Sequence, residues 1–205
     1  MNRWIEMETK KIQRWILILT LAYVIGFGIY YIMAKNYEFM WYLVIMFIII
    51  GLVIKLHSKF KFSTGLLAGA SIWGLMHMAG GSLKFGGKAL YSNMVIDFNI
   101  VEFAGTPIFK FDQLAHFYCY IVVTLILFYI FKDYLKRGRS KIGVSALLVL
   151  AAMGVGALNE ILEFLPVLLL EETGVGDYYN TMWDIVFNTF GAIVAVIYLN
   201  FKKKI

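Results

Sequence analysis

Six long runs of apolar residues constrain this chain more than any other feature of its sequence. They cover residues 15–33, 39–54, 63–80, 114–131, 142–167 and 179–201. Such runs come close to the ~20 residues that a helix needs to cross the hydrocarbon core of a bilayer. A soluble protein would interrupt them to keep a wet face, and only 16% of the residues here are charged. The runs therefore predict a protein whose solvent is lipid.

The secondary structure of these runs follows from the absence of water at membrane depth. Backbone N–H and C=O groups must then pair within each segment, as they do in a helix. A β-barrel would instead show shorter segments of alternating hydrophobicity. We therefore predict an all-α fold, a polytopic membrane helix bundle with six transmembrane helices in a single domain over residues 1–205. The one long connection, about residues 81–111, is predicted to be an extracytoplasmic loop, and loops of that length often act as lids.

The positions of Lys and Arg between the runs predict the orientation in the membrane, because basic loops are retained in the cytoplasm. Most of the 19 Lys and Arg residues fall on one side, at both termini and in every second loop. This pattern predicts a multi-pass protein of the cell membrane with both termini in the cytoplasm. The basic clusters are short and lie next to the membrane, so the net charge of +6 does not indicate a nucleic-acid partner.

Polar residues inside the apolar runs carry most of the functional information, because each is costly in hydrocarbon and needs a partner. They are His77, Asp112, His116, Asn159, Glu160, Glu163, Asp184 and Asn188. With the helical rise of ~1.5 Å per residue, the acids and histidines of four runs lie ~21–27 Å above the cytoplasmic ends of their helices. We therefore expect them to form one layer in the outer half of the membrane.

Spacing along each helix adds to this expectation, because residues three or four apart share a face. The pairs are Asp112 with His116, Asn159 or Glu160 with Glu163, and Asp184 with Asn188. Imidazoles and carboxylates at such spacing are how helical bundles bind zinc, manganese or iron. The predicted metal ligands are His77, Asp112, His116, Glu160, Glu163 and Asp184, with Asn159 and Asn188 as supporting polar residues. Either glutamate, if free of the cation, would be the catalytic general base.

Simpler interpretations exist for some of these residues. The two aspartates could cap the starts of their helices, where a carboxylate meets the positive end of the helix dipole. The two histidines could form structural hydrogen bonds between helices. Glu160 and Glu163 are harder to explain in this way, because two carboxylates on one face repel each other unless a proton, a cation or a basic group lies between them.

Four stretches of the sequence contain most of these polar residues. They are WGLMHMAGG (Trp73 to Gly81), FDQLAHF (Phe111 to Phe117), LNEILEF (Leu158 to Phe164) and GDYYNTMWDIVFNTFGA (Gly176 to Ala192). In this order they resemble the YjdF-like family of prokaryotic inner-membrane proteins of uncharacterised function. The pattern Asp-x-x-x-Asn-x-x-Gly, from Asp184 to Gly191, is also distantly similar to VanZ-type membrane proteins, which are linked with glycopeptide-antibiotic tolerance. The first resemblance implies that these polar residues belong together, and neither resemblance supplies a reaction.

Three classes of function remain open from the sequence. The first is a metal-dependent hydrolase or transferase that acts at the outer leaflet on a lipid or lipid-linked substrate. The second is an ion- or proton-coupled transporter that uses the same residues as a relay, although the inner halves of the runs are almost free of ionisable groups. The third is a non-catalytic membrane partner protein. The lipid bilayer is the one partner that the sequence requires, and no oligomeric state follows from it.

Overall fold

Helices dominate the secondary structure of the residues that the structure describes. The computed structural model describes residues 3–95, 102–103, 106–107, 109–135 and 140–205. In this part of the chain there are six α-helices, as the apolar runs predict. They are α1 (Arg3–Ala34), α2 (Tyr37–Phe60), α3 (Thr64–Ser82), α4 (Phe111–Phe131), α5 (Lys141–Leu169) and α6 (Tyr178–Phe201). Of these six helices in the described residues, five are long and apolar enough to cross a membrane, and α3 is the exception.

Helix ends follow local side-chain chemistry. The side chain of Asn36 accepts a hydrogen bond from the backbone N–H of Phe39 at the start of α2, and Ser63 does the same for Leu66 at the start of α3. Asp177 caps α6, where its Oδ1 atom accepts from the backbone N–H of Asn180 at 3.0 Å. A capping role for Asp184 is therefore wrong, because this residue lies well inside α6.

The chain divides into two compact units, Met1–Leu83 and Lys84–Ile205. The first contains α1, α2 and α3, and the second contains α4, α5 and α6. The prediction of a single domain over residues 1–205 stays a prediction.

The first unit is held together by hydrogen bonds and close packing between α1 and α3. The hydroxyl of Tyr23 donates to the carbonyl of Ser71 at 2.7 Å, and the hydroxyls of Thr20 and Ser71 are 2.7 Å apart. Farther along, the buried Tyr31 hydroxyl donates to the carbonyl of Met78. Such bonds are what helices need inside lipid, where an unpaired hydroxyl is costly.

The second unit is a three-helix arrangement in which α4, α5 and α6 all contact one another. Helices α4 and α6 approach each other closely at Gly191, where an added Cβ atom would overlap the backbone oxygen of Phe117. Only glycine fits there, because any side chain would push the helices apart. Apolar residues near the basic end of the unit form a core beneath the polar layer. Its buried members are Phe128, Val144, Leu148, Val196 and Leu199.

The connection between α3 and α4 is described in part. A hairpin pairs β1 (Lys84–Phe85) with β2 (Lys88–Ala89) through two glycines at positive φ, and β3 (Glu102–Phe103) pairs with β4 (Thr106–Pro107). The backbone N–H of Val95 donates to the carbonyl of Phe109 at 2.8 Å. This bond brings the two ends of the loop together beside the start of α4. The sequence suggests a lid over about residues 81–111, of which residues 96–101, 104–105 and 108 lie outside the described residues, and its role as a lid stays a prediction.

Candidate metal centre

His116 on α4 is the centre of a cluster of carboxylates in the second unit. The side chain is buried, with a residue exposure of 9%. Its Nε2 atom lies 3.7 Å from Oδ1 of Asp112, one turn earlier on the same helix. The same Nε2 atom is 3.9 Å from Oε1 of Glu163, and Nδ1 is 3.9 Å from Oε1 of Glu160. One imidazole is thus surrounded by acids from two helices.

Helix α5 contributes Asn159, Glu160 and Glu163 to this cluster. The amide of Asn159 donates to Oε1 of Glu163 at 2.6 Å, as expected for residues four apart on one face. Oε1 of Glu160 is buried and has no hydrogen-bond partner among the described residues. Oε1 of Glu160 is therefore unsatisfied within the described chain, whereas Oε1 of Glu163 is oriented by Asn159.

Helix α6 contributes three polar residues that are four apart in sequence, Asn180, Asp184 and Asn188. Nδ2 of Asn180 donates to Oδ2 of Asp184 at 2.7 Å and lies 3.3 Å from Oδ2 of Asp112, so it bridges the two aspartates. Asp184 is 1% exposed, and within the described chain its other oxygen, Oδ1, has no hydrogen-bond partner. Oδ1 of Asn188 lies 3.0 Å from Nδ1 of His116.

Two glycines allow the helices that carry these polar side chains to pack closely. An added Cβ atom at Gly156 on α5 would lie 3.3 Å from Nδ2 of Asn188 and 3.5 Å from the Tyr120 ring. Together with Gly191, this glycine lets α5 and α6 approach α4 closely enough for their polar side chains to meet.

Two groups of side chains have the composition and spacing of a metal site. The first is Asp112, His116 and Asp184, and the second is His116, Glu160 and Glu163. In each group the candidate ligand atoms lie within 4.8 Å of one another. Histidine nitrogen and carboxylate oxygen are the ligands that zinc, manganese and iron accept.

The separations around His116 fit a shared cation better than direct hydrogen bonds. Hydrogen bonds between nitrogen and oxygen are about 2.7–3.2 Å long. The 3.7 and 3.9 Å separations of Nε2 from Asp112 and Glu163 exceed that range. Two ligand atoms that are each ~2.1 Å from one cation can be up to ~4.2 Å apart. The gap around Nε2 is therefore of the size that a small ion bridges.

His77 belongs to the first unit. Its ring is half-buried among aromatic side chains, with ring centroids 5.5 Å from Tyr42 and 5.6 Å from Trp73. Its assignment as a metal ligand stays a prediction.

Two residues near the cluster were missed by the sequence reasoning. Asn180 links Asp112 to Asp184, and Lys110 donates from Nζ to Oδ1 of Asn180 at 3.0 Å. Asn180 was detectable, because it precedes Asp184 by the same four residues that separate Asp184 from Asn188. Lys110 carried no such signal, since it lies just before α4 in a segment that reads as a loop.

Comparison with known proteins places the chain in a family. The model of a family described as predicted membrane protein (DUF2238) matches residues 12–204. The chain belongs to this family. Together with the five long apolar helices in the described residues, this makes it a multi-pass membrane protein.

The chain is similar in sequence to a curated protein, the inner membrane protein YjdF of Escherichia coli (strain K12). The two are 26% identical over 126 residues, which cover 57% of this chain and 58% of the relative. The chain thus spans somewhat more than half the length of that protein. The match confirms the resemblance to the YjdF-like family, and no solved structure matches this chain.

Proposed function

We propose that this protein is a membrane-embedded, metal-dependent enzyme, a hydrolase or transferase that acts on a lipid or lipid-linked substrate. The observation that carries the proposal is the position of His116 among four carboxylates from three helices. Two oxygens of this set, Oε1 of Glu160 and Oδ1 of Asp184, are buried with no hydrogen-bond partner in the described chain. Buried polar atoms of this kind are rare and commonly indicate an ion or a catalytic role.

Charge balance supports a bound cation. Four carboxylates within a few ångströms repel one another, and the single imidazole offers at most one positive charge. The nearby ammonium of Lys110 is bound to the amide oxygen of Asn180. A divalent ion such as Zn²⁺, Mn²⁺ or Fe²⁺ would supply the missing charge and occupy the open coordination positions.

The side chains divide naturally into ligands and a base. Asp112, His116 and Asp184 form the group nearest to the start of α4, and Glu163 is held in place by Asn159. A cation bound there would polarise a water molecule or a substrate oxygen. Glu160, whose Oε1 atom receives no hydrogen bond from the described residues, is suited to accept a proton as general base.

The membrane topology that we propose has six spans, with both termini in the cytoplasm of a cell-membrane protein. The basic segments at both ends of the chain and beside alternate helices support it. In this topology α3 crosses the membrane although its glycines, serines and His77 weaken its apolar character. The metal centre would then open toward the extracytoplasmic side, within reach of substrates in the outer leaflet. The relative from Escherichia coli is an inner membrane protein, which agrees with this location.

The test is metal analysis of the purified protein in detergent, without chelator and after reconstitution with each cation in turn. We compare the wild type with His116→Ala and Glu163→Gln. Glu172→Gln is the matched control, because this carboxylate is exposed and lies outside both ligand groups. The proposal expects stoichiometric metal in the wild type and the control, with large losses in the two site variants.

A wild type that stays metal-free with every cation would refute the metalloenzyme. The cluster would then be a network that shares protons, and a proton- or ion-coupled transporter would be the better explanation. If metal is retained, lipid phosphates and lipid-linked glycans are the substrates to screen, with Glu160→Gln as the variant expected to bind metal without turnover.

A further inference from the structure

A cavity of about 300 Å³ lies among α1, α2 and α3 in the first unit. Most of its wall is apolar, including Leu17, Met46, Ile50, Val53, Leu67 and Trp73. Three hydroxyl side chains, Thr20, Tyr23 and Ser71, also line it, and each is hydrogen-bonded within the unit. The remaining polar or basic side chains of the lining lie toward one end of the helices, and they are Lys10, Gln13, Arg14 and His57. The cavity is thus amphipathic along its length.

The depth of the cavity corresponds to one leaflet of a bilayer. On α1 the lining extends from Lys10 to Tyr23, a rise of ~20 Å, of which the part from Arg14 to Tyr23 is ~14 Å, and on α2 it extends from His57 back to Met46, a rise of ~16 Å. Half of a hydrocarbon core is ~15 Å thick. The basic residues therefore lie where a lipid headgroup would be, and the aromatic end lies near the middle of the membrane.

The polar end has unsatisfied capacity for an anion. The ammonium of Lys10 is 2.9 Å from the carboxylate of Glu6, so the carboxylate offsets the positive charge of this lysine. The guanidinium of Arg14 adds a second positive charge at this end. Nδ1 of His57 is buried and has no hydrogen-bond partner in the part of the chain that the structure describes. A phosphate oxygen could accept from the imidazole and the guanidinium together.

We propose that this cavity binds an anionic phospholipid, with one acyl chain between the helices and the phosphate at Arg14 and His57. A soluble anion would leave the apolar wall exposed, and a zwitterionic lipid would not match the net positive end. A cavity of this volume holds a single hydrocarbon chain, so a partner helix does not fit. The site is independent of the proposed metal centre, and with the proposed topology its lipid belongs to the cytoplasmic leaflet.

Trp73 lines the cavity and provides the readout. The full-length protein is reconstituted in phosphatidylcholine nanodiscs that contain a small fraction of lipid with brominated acyl chains, which quench tryptophan fluorescence on contact. Brominated phosphatidylglycerol is compared with brominated phosphatidylcholine at equal mole fraction. Subtracting the signal of Trp73→Phe isolates the contribution of this residue. We expect the Trp73 contribution to be quenched preferentially by the anionic lipid.

Three variants test the assignment. Arg14→Gln should lower the preference about fivefold, since one basic residue near a membrane surface contributes that factor. Lys55→Gln removes the same charge from α2 outside the cavity and should leave the preference unchanged. Ala70→Leu should fill the cavity and remove the Trp73 quenching by either lipid.

Equal quenching of Trp73 in the wild type by the two lipids would by itself overturn the proposal, before any variant is measured. Equal losses in Arg14→Gln and Lys55→Gln would reduce the effect to general surface charge, which also contradicts a specific site. Undiminished quenching in Ala70→Leu would place the lipid outside the cavity. Circular dichroism and thermal unfolding in detergent check that each variant is folded.

Discussion

Nδ1 of His116 lies 3.0 Å from Oδ1 of Asn188, across the contact between α4 and α6. In this orientation of the amide the oxygen accepts and Nδ1 donates, which places the lone pair of the neutral ring on Nε2. Nε2 is the atom that faces Asp112 and Glu163. The asparagine therefore selects the tautomer that presents a ligand nitrogen to these two carboxylates, which is the usual role of a second residue behind a metal-binding histidine.

Replacing Asn188 should weaken metal binding without removing a ligand. We expect Asn188→Leu to lower metal affinity about 10–100-fold, because the ring loses its orienting partner. Asn188→Asp keeps an acceptor oxygen and should retain most of the affinity. Competition with a fluorescent chelator measures both. Unchanged affinity in the leucine variant would show that this hydrogen bond has a structural role alone.

The contact at Gly191 predicts a large difference between two Gly→Ala substitutions. Gly191→Ala places a methyl group against the backbone oxygen of Phe117, and overpacking of this kind costs about 1–3 kcal/mol or more. Gly154→Ala on α5 meets nothing within 4 Å and should be neutral or stabilising by up to ~1 kcal/mol. Thermal unfolding in one detergent compares them. Similar melting temperatures for the two variants would contradict the close crossing of α4 and α6.

The bridge from Asn180 to Asp184 predicts coupled substitutions. Asn180→Ala should lower the free energy of unfolding by about 1–3 kcal/mol, because it leaves carboxylate oxygens without a donor. Combined with Asp184→Asn, the two effects should differ from additivity by about 0.5–3 kcal/mol. Asn200→Ala, whose amide bonds Ser145 and the carbonyl of Val196, is the control and should be additive with Asp184→Asn. Additivity in both cycles would argue against the bridge.

The proposed topology predicts which positions a membrane-impermeant maleimide can reach. The only native cysteine, Cys119, is first replaced by serine. In right-side-out membrane vesicles, Glu171→Cys should be labelled, since it lies between α5 and α6 on the predicted outer side. Lys203→Cys should be labelled only after permeabilisation. Labelling of both positions before permeabilisation would mean that α6 does not span the membrane, and the reverse pattern would invert the orientation.

The sequence predicts the helices well because a long apolar run inside lipid must form a helix to pair its backbone groups. The predicted boundaries differ from the observed ones, since hydropathy indicates contact with lipid and does not indicate helicity. Helix α1 begins at Arg3, ahead of its apolar run, where Glu6 and Lys10 form an ion pair across one turn. Helix α2 likewise continues through charged residues to Phe60. Polar ends of helices lie outside the hydrocarbon and leave no mark in the apolar pattern.

The sequence predicts the depth at which the site residues lie in the membrane, but it does not predict which of their side chains contact one another. Depth and spacing along the helices together indicated that His116, Glu160, Glu163 and Asp184 lie at one height, and the structure brings these four together. The direction in which each face points depends on packing between helices, which a single sequence does not specify. The role of Asn180 was missed because an uncharged residue near a helix start is unremarkable in isolation. The assignment of His77 depends on geometry between the two units and stays a prediction.

The polar residues of α6 and its contact glycine lie on one side of a single helix. Asn180, Asp184, Asn188 and Gly191 differ by at most ~80° in angular position, since each residue advances the helix by ~100°. Below them, Val196 and Leu199 are fixed in the apolar core. A single residue inserted between Ala192 and Ile193 would turn the upper half of α6 by ~100° against the lower half. The four residues would then rotate together away from their partners on α4 and α5. The rotational phase of one helix therefore determines whether the cluster exists.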